Sequence, residues 1–351
     1  MSQIQNLSPI VGTGFISTIN NIGPNGSGNF TVESTDGSVT ITPIANGVNL
    51  SVAAVTYYSL TPFIVGSDIH SQYSTIGAAI TAAVAAGASS STPAAIFIKF
   101  NGSPYTENPV LQDGINLIGF DGGNFNNAGN STAITGKITF SGAGYASVQG
   151  LTLNTNGDYF AEFTGSSSVN ILFKNCTLNA TNANGLHNTN TAASILIWYC
   201  NGNCTTNTFF ICTSQGVDVR YSYLFSLNTT TASTFTNAGF TSHFSELFFP
   251  VTVSGTGFYN IINSRVVTAA ACVTTSGSGP SVINNSEFIS STFSSLVING
   301  SAVIPVMNSS FQSSNTNVIT GSGTLNYAFL AFYGSSSGVN VSTLTPLPTL
   351  I

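Results

Sequence analysis

Ionisable side chains are scarce in this chain, and two short pairings among them could do chemistry. Asp158 and Glu162 are the only close acids of the central region, four residues apart. Paired carboxylates can act as general acid and general base on a glycosidic bond. Their spacing crosses Tyr159 and Phe160, where a bend is expected, so stacking of chain segments is needed to bring Glu162 to another group. Asp218-Val219-Arg220 sets an acid and a base two apart on a β-prone run. Both side chains then emerge on one face of a strand. That pair reads first as a self-satisfied surface ion pair and second as a catalytic one. Asp158, Glu162, Asp218 and Arg220 are therefore the catalytic candidates. His70, His187 and His243 are isolated, and His187, in Gly185-Leu186-His187-Asn188, reads as a loop residue rather than a base. Cys200-Asn-Gly-Asn-Cys204 lacks the two further ligands that zinc requires. The five cysteines read mainly as small buried hydrophobes, and neither metal nor cofactor is expected.

The composition narrows the partners. Lys plus Arg is 5 and Asp plus Glu is 11 in 351 residues, a formal net charge of −6. Five cations cannot supply the footprint of a nucleic-acid binder or an anionic-lipid patch. Only 5% of residues are charged, so Ser, Thr, Asn and Gly must build the surface. With 42% apolar residues the chain does not fit sequence-driven disorder. The start, MSQIQNLSPIVGTGF, has no basic segment followed by an apolar run, so no classical signal peptide is expected. The most apolar stretch, Ile76 to Ala86, is too short to span a bilayer.

These side chains must be positioned by three kinds of element. Residues 1–56 join β-prone pieces through Pro-Asn-Gly turns; Val39-Thr40-Ile41-Thr42 and Val48-Asn49-Leu50-Ser51-Val52 alternate around Asn46-Gly47, a hairpin signal. A lone hairpin is marginal in water, so this module is expected to lie on something, including copies of itself. Residues 57–70 lead into a helix near 74–87. Ser74 or Thr75 can cap it, and Ile76, Ile80 and Val84 share a face. Thereafter short β-like runs carry a repeat. Asn175-Cys176, Tyr199-Cys200, Tyr221-Ser222, Phe244-Ser245, Asn263-Ser264, Asn285-Ser286 and Asn308-Ser309 recur, their second members 24, 22, 23, 19, 22 and 23 residues apart. Gly150 reads as an earlier copy and Phe332-Tyr333 as a later, modified one.

A period near 22 with two or three short strands each predicts a coiled parallel β-helix over residues 57–340. The small Cys/Ser position fits an inward stack at a tight bend, and the Asn position an amide ladder. A leucine-rich repeat would need regular Leu spacing, which is absent. Of the recurring aromatics, alternate members should stack inside; those facing outward suit an interface, or stacking on sugar rings. Residues 341–351, apolar with two prolines, can cover the far end of the coil or insert into a neighbour.

Tyr73-Ser74-Thr75-Ile76-Gly77-Ala78-Ala79-Ile80, the strand Ile96 to Lys99, Tyr105-Thr106-Glu107 and Gly114-Ile115-Asn116-Leu117-Ile118-Gly119 together resemble the opening of the pectin-lyase-like superfamily. The resemblance covers about 50 residues, and the repeats extend it to about residue 335. It implies a right-handed single-stranded parallel β-helix with an N-terminal capping helix, an all-β fold. It does not imply one activity, because the superfamily holds esterases, lyases, hydrolases, tailspikes and non-catalytic fibres. The aspartate, arginine and glutamine pattern of its pectinesterases has no match here. The acids and bases of its calcium-dependent lyases would fall on Asp113 and Asp121 and on Lys137, Lys174, Arg220 and Arg265. The two aspartates read more simply as turn residues, and the four bases are scattered. Ile19 to Phe30 with Gly37 to Pro43 looks like modules of phage and viral fibre proteins that mediate assembly or attachment.

The sequence therefore leads to a structural subunit of a surface fibre or spike, self-associating as a homotrimer or filament and attaching to a host or surface. A virion surface or extracellular location follows, with no membrane insertion. The alternatives are a tailspike-like lyase or hydrolase and a non-catalytic glycan-binding adhesin, with a surface glycan as partner.

Overall fold

The computed structural model describes residues 39–44, 47–52, 63–120, 132–156, 158–205, 207–228, 230–328, 331–337 and 340–343. The segment Ile19 to Phe30, Asp121 and the tail beyond residue 343 lie outside them. The chain divides into two compact units, Met1–Thr61 and Pro62–Ile351. In the first, Val39–Ile44 and Gly47–Val52 form the antiparallel hairpin, with Val39 opposite Val52 and Ile44 opposite Gly47.

The second unit is a right-handed parallel β-solenoid with coils of about 23 residues. Gly144 pairs with Val169 and Gly239 with Phe258, so individual coils take 25 and 19 residues. The first face is a 13-stranded parallel sheet running from Phe63–Val65 to Asn340–Thr343. Two further faces are represented in one coil by Thr177–Thr181 and Leu186–Asn188. They merge near the end, where the strand Ser310–Gly321 runs through both. Alternate residues point inward on every face, as in Val169–Lys174, whose odd positions are buried. Stacked inward rows make one continuous core, including Phe160, Phe173, Phe209, Phe210, Phe240 and Phe249. The inward aromatics expected from the sequence are there: Phe209 stacks on Phe249 with centroids 5.4 Å apart.

The repeat is explained by one corner, between the first and second faces. Asn175, Tyr199, Tyr221, Phe244, Asn263, Asn285 and Asn308 all hold left-handed backbone, φ between 46° and 55°. Gly150 occupies the same corner with φ 63°. The following residue is buried and small in every coil from Cys176 to Ser309. Its hydroxyl solves a local problem. The N–H of Ser222 donates to Ser245 Oγ at 3.2 Å, that of Ser264 to Ser286 Oγ at 3.2 Å, and that of Ser286 to Ser309 Oγ at 3.1 Å. Each of these hydroxyls donates in turn to the carbonyl two residues back, as Ser286 Oγ does to Asn284 O at 2.8 Å. Buried backbone groups at a sharp bend are thereby satisfied coil by coil. Asn285 Nδ2 donates to Asn263 Oδ1 at 2.6 Å, one rung of the amide ladder. Three consecutive coils replace that Asn by Tyr or Phe, which in left-handed backbone costs roughly 1–2 kcal/mol per residue.

Helix α1 spans Ile76–Ala85, with Thr75 as N-cap accepting from Ala78 N. It is shorter at both ends than 74–87, and Gly87, at φ 89°, follows its close. Ile76, Ala79, Ile80 and Ala83 are its buried residues; Val84 is only half-buried. Glu107 fixes its start: its carboxylate accepts from Ile76 N and Gly77 N, both at 3.0 Å. That places a negative charge on the positive end of the helix. Tyr105, buried two residues earlier, donates its hydroxyl to Lys99 O at 2.9 Å. Among the described residues no helix is long and apolar enough to cross a membrane.

Candidate functional site

The third face carries the densest group of ionisable side chains. Glu162 lies in the strand Ala161–Phe163 between two buried neighbours, so its carboxylate points outward. In the next coil His187 stands directly opposite it. His187 is therefore a strand residue, not the loop residue expected, because Leu186 and Asn188 are both drawn into the core. One coil earlier, Lys137 precedes Ile138, which bridges to Ala161. Gly136 lets this turn pack on the preceding coil: a Cβ there would lie 1.9 Å from the carbonyl oxygen of Glu107. Lys137 N also donates to Asn108 Oδ1 at 2.8 Å, anchoring the turn.

These positions converge on Glu162. Lys137 Nζ donates to Glu162 Oε2 at 2.6 Å and His187 Nδ1 lies 3.0 Å from Oε1. Lys137 Nζ also reaches Asp158 Oδ2 at 3.0 Å. Tyr159 stacks on the His187 imidazole, centroids 4.7 Å apart and planes inclined by 19°. The Glu162, Lys137 and His187 side chains are each about a quarter exposed, at 23%, 25% and 22%. The sequence candidates Asp158 and Glu162 are thus brought together through Lys137, although the expected bend, at Asp158 and Phe160, does lie between them, before the strand Ala161–Phe163.

The charges lock one another. Lys137 and then His187 hold the Glu162 carboxyl below the usual carboxylate range, against a desolvation that works the other way. At Asp158 burial raises the pKa, but hydrogen bonds from Lys137 and the Tyr159 backbone outweigh it and the net shift is downward. Glu162, then Asp158, push the Lys137 ammonium upward. At neutral pH the site therefore holds two carboxylates and one ammonium. Neither acid carries a proton to give, so the two-carboxylate glycosidase arrangement does not fit. Because Glu162 is ionised, the facing nitrogen of a neutral His187 must be the protonated one. In that tautomer Nδ1–H donates to Glu162 and Nε2 keeps its lone pair. A carboxylate that fixes the tautomer of a histidine and can stabilise its cation is the supporting half of a general base.

The second candidate pair lies on the outer side of the first face, one coil and one face beyond His187. Arg220 grips Asp218 with Nε at 2.9 and 3.0 Å and Nη2 at 2.6 Å. Its guanidinium carbon lies 5.3 Å from the Trp198 ring centroid, in the register-matched position of the preceding coil. The two-forked pair is closed on itself, and the structure does not join it to Asp158 and Glu162. Asp113 serves its turn, accepting from Ser90 N at 2.8 Å and Tyr145 N at 2.9 Å. The five cysteines are buried free thiols. Among the described residues no cluster of three or more His, Cys, Asp or Glu could hold a metal ion.

Sequence reasoning missed Lys137, Tyr159 and His187. A signal existed. Lys137 precedes the corner residue Gly150 by 13, Glu162 precedes the corner residue Asn175 by 13, and His187 precedes the corner residue Tyr199 by 12. Counting back from each corner aligns all three to within one residue.

A third surface feature is a shallow groove of about 820 Å³ along the Asn corner, running from Phe244 to Ser310. Glu246, Arg265 and Glu287 lie in register along it, with Arg265 Nε donating to Glu287 Oε2 at 2.8 Å.

No family model matches the chain, and no curated protein matches it. Among solved structures it is similar to the deglycosylated pectin methylesterase of Aspergillus niger, with 16% identity and a TM-score of 0.36, over 79% of this chain and 86% of that one. It is also similar to the A-module of the mannuronan C-5 epimerase AlgE6 of Azotobacter vinelandii, with 11% identity and a TM-score of 0.37, over 78% of this chain and 95% of that one. What establishes the solenoid here is its own strand register.

Proposed function

We propose that the solenoid acts on a polysaccharide by proton transfer at His187. The observation that carries this reading is the Glu162 carboxylate held between Lys137 Nζ and His187 Nδ1, which leaves the lone pair of Nε2 available as a base. A chain with only 5 basic and 11 acidic residues does not depend on ions for its surface. Collecting Lys137, Asp158, Glu162 and His187 on one patch then calls for a reason beyond solubility. Parallel coils repeat roughly every 4.8 Å along the axis, which offers an extended polymer a regular outer face.

The reaction these parts fit is removal of an ester-linked acyl group from a sugar hydroxyl. His187 Nε2 takes a proton from water as the oxygen adds to the ester carbonyl. The imidazolium, steadied by Glu162, then returns the proton to the departing sugar oxygen. Lys137, bonded to Glu162 Oε2, holds that carboxylate in place behind the imidazole. The products are a carboxylic acid and a free sugar hydroxyl. The test is acetate release from acetylated xylan and acetylated glucomannan by the intact chain and by His187→Gln. Release by the wild type and none by the variant supports the reading; no release from either polymer by the wild type refutes it.

A second reading is favoured by the separate unit Met1–Thr61. An isolated pair of strands is marginal in water. In this reading the unit associates with copies of itself, as a fibre or spike subunit attached to a surface. Light scattering on the intact chain and on one lacking residues 1–61 tests it. A trimer or polymer reduced to monomer by truncation supports it, and monomers in both refute it.

A further inference from the structure

The left-handed corner of the solenoid is occupied by Asn in four coils and by Tyr199, Tyr221 and Phe244 in three consecutive ones. Asn is the residue that tolerates this backbone best after Gly; bulky aromatics tolerate it poorly. Their rings do not offset that strain by entering the core. They remain 45%, 48% and 52% exposed. They do form a continuous outer stack: Tyr199 to Tyr221 at 5.0 Å and Tyr221 to Phe244 at 5.1 Å, each pair within 6° of parallel. The last ring, Phe244, also lines the groove of about 820 Å³. Beyond it the corner continues as Asn263, Asn285 and Asn308, so an aromatic track passes directly into an amide track. Strained backbone and exposed apolar rings thus coincide along one line, as they do where a surface is kept for binding.

The chemistry of the line selects the ligand. Amide side chains and the phenol hydroxyls of Tyr199 and Tyr221 both donate and accept, which suits sugar hydroxyls. The stacked rings present their edges, and Tyr199 and Phe244 the outer faces of the stack, as an apolar strip for the C–H faces of pyranose rings. The groove carries Glu246, Arg265 and Glu287, a net charge of −1, and its arginine is already paired with Glu287. A polymer with a carboxylate or phosphate on each unit would meet the Glu246 carboxylate there, and Arg265, the cation lining the groove, is already held by Glu287. We infer that the corner from Tyr199 to Asn308 binds an uncharged polysaccharide lengthwise, along the axis of the coils. This rests on the polysaccharide part of the reading above and not on proton transfer at His187.

The experiment uses the full chain in affinity electrophoresis against xyloglucan, galactomannan, mixed-linkage β-glucan, polygalacturonate and alginate. The variants are Tyr199→Asn/Tyr221→Asn/Phe244→Asn, Phe244→Asn alone, and His187→Gln. Asn is the residue of the other coils at this corner, so thermal midpoints should stay close to the wild type. At least one neutral polymer should retard the wild type, and neither anionic one should. The triple variant should weaken binding about tenfold or more, and Phe244→Asn part of that, since each exposed ring removed accounts for roughly a few-fold. His187→Gln should bind as the wild type does, which separates this site from the acyl-transfer reading. The inference is overturned if no neutral polymer binds, if the anionic polymers bind better, or if Phe244→Asn and the triple variant bind unchanged. It is also overturned if the wild type is a dimer that the triple variant converts to monomer, because the rings would then be an interface between copies.

Discussion

Replacing Glu162 by Gln tests the logic of the third-face cluster. The substitution keeps the shape and removes the charge that faces both Lys137 Nζ at 2.6 Å and His187 Nδ1 at 3.0 Å. A neutral amide can accept from one of these donors but presents its own N–H₂ to the other. A hydrogen bond to a charged group contributes about 1.5–3 kcal/mol when sheltered, and a fully exposed ion pair about 0.2–1 kcal/mol. Glu162 and Lys137 are about a quarter exposed, so a loss of about 1–2 kcal/mol at pH 7 follows. The effect has a pH signature. Glu162 titrates below its unfolded value, so its contribution is fully present above that value, about 4.3, and is lost as pH falls through the folded pKa. Lys137 titrates above its unfolded value, so its share persists to about pH 10.4 and is lost as pH rises through its folded pKa. Urea unfolding of wild type and Glu162→Gln should therefore differ in midpoint, at unchanged slope, near pH 7 and converge in acid. Acyl release should fall about 10²-fold or more, since the His187 tautomer is no longer held. Equal stability at pH 7, or a gap undiminished in acid, would refute the reasoning.

Other outcomes follow from single side chains. Cys200 sits where later coils carry Ser, so Cys200→Ser should change stability by less than about 1 kcal/mol, whereas Cys212→Ser would bury a hydroxyl and cost about 1–3 kcal/mol; urea unfolding compares them. Native thiols should resist a colourless-to-yellow disulfide exchange reagent until the chain unfolds, because all five are buried and desolvation pushes the Cys272 thiol up to about 12. Gly216→Ala would set a Cβ 1.5 Å from the carbonyl oxygen of Gly239 in the next coil, so the rungs must separate and the thermal midpoint should drop by several degrees. Phe288→Ala removes a fully buried ring stacked 4.7 Å from Phe311 and should cost about 3–5 kcal/mol in the same measurement.

The coil was legible in the sequence because its strongest constraint is local. A left-handed corner wants Asn, the residue after it must be small, and both demands recur once per turn, from Asn175-Cys176 to Asn308-Ser309. The capping helix was legible for the same reason, through Thr75 and its apolar spacing. Asp218 and Arg220 were placed on one side of a strand by alternation alone. What the repeat could not show is which residues of neighbouring coils stand opposite each other. Coil length varies, being 31 residues from Ile115 to Ala146 and 19 from Gly239 to Phe258, and a change of one residue between corner and strand moves a side chain from outside to inside. Only the folded register set Glu162 opposite His187 and brought Lys137 to both, turning three scattered residues into one site. The destination of the aromatics was decided there too. Phe210 enters the core as an inward position of the strand Phe210–Cys212, and Phe209 is buried just before that strand begins, while Tyr221 and Phe244 stack outside because the corner position, forced into left-handed backbone, points its side chain away from the coil.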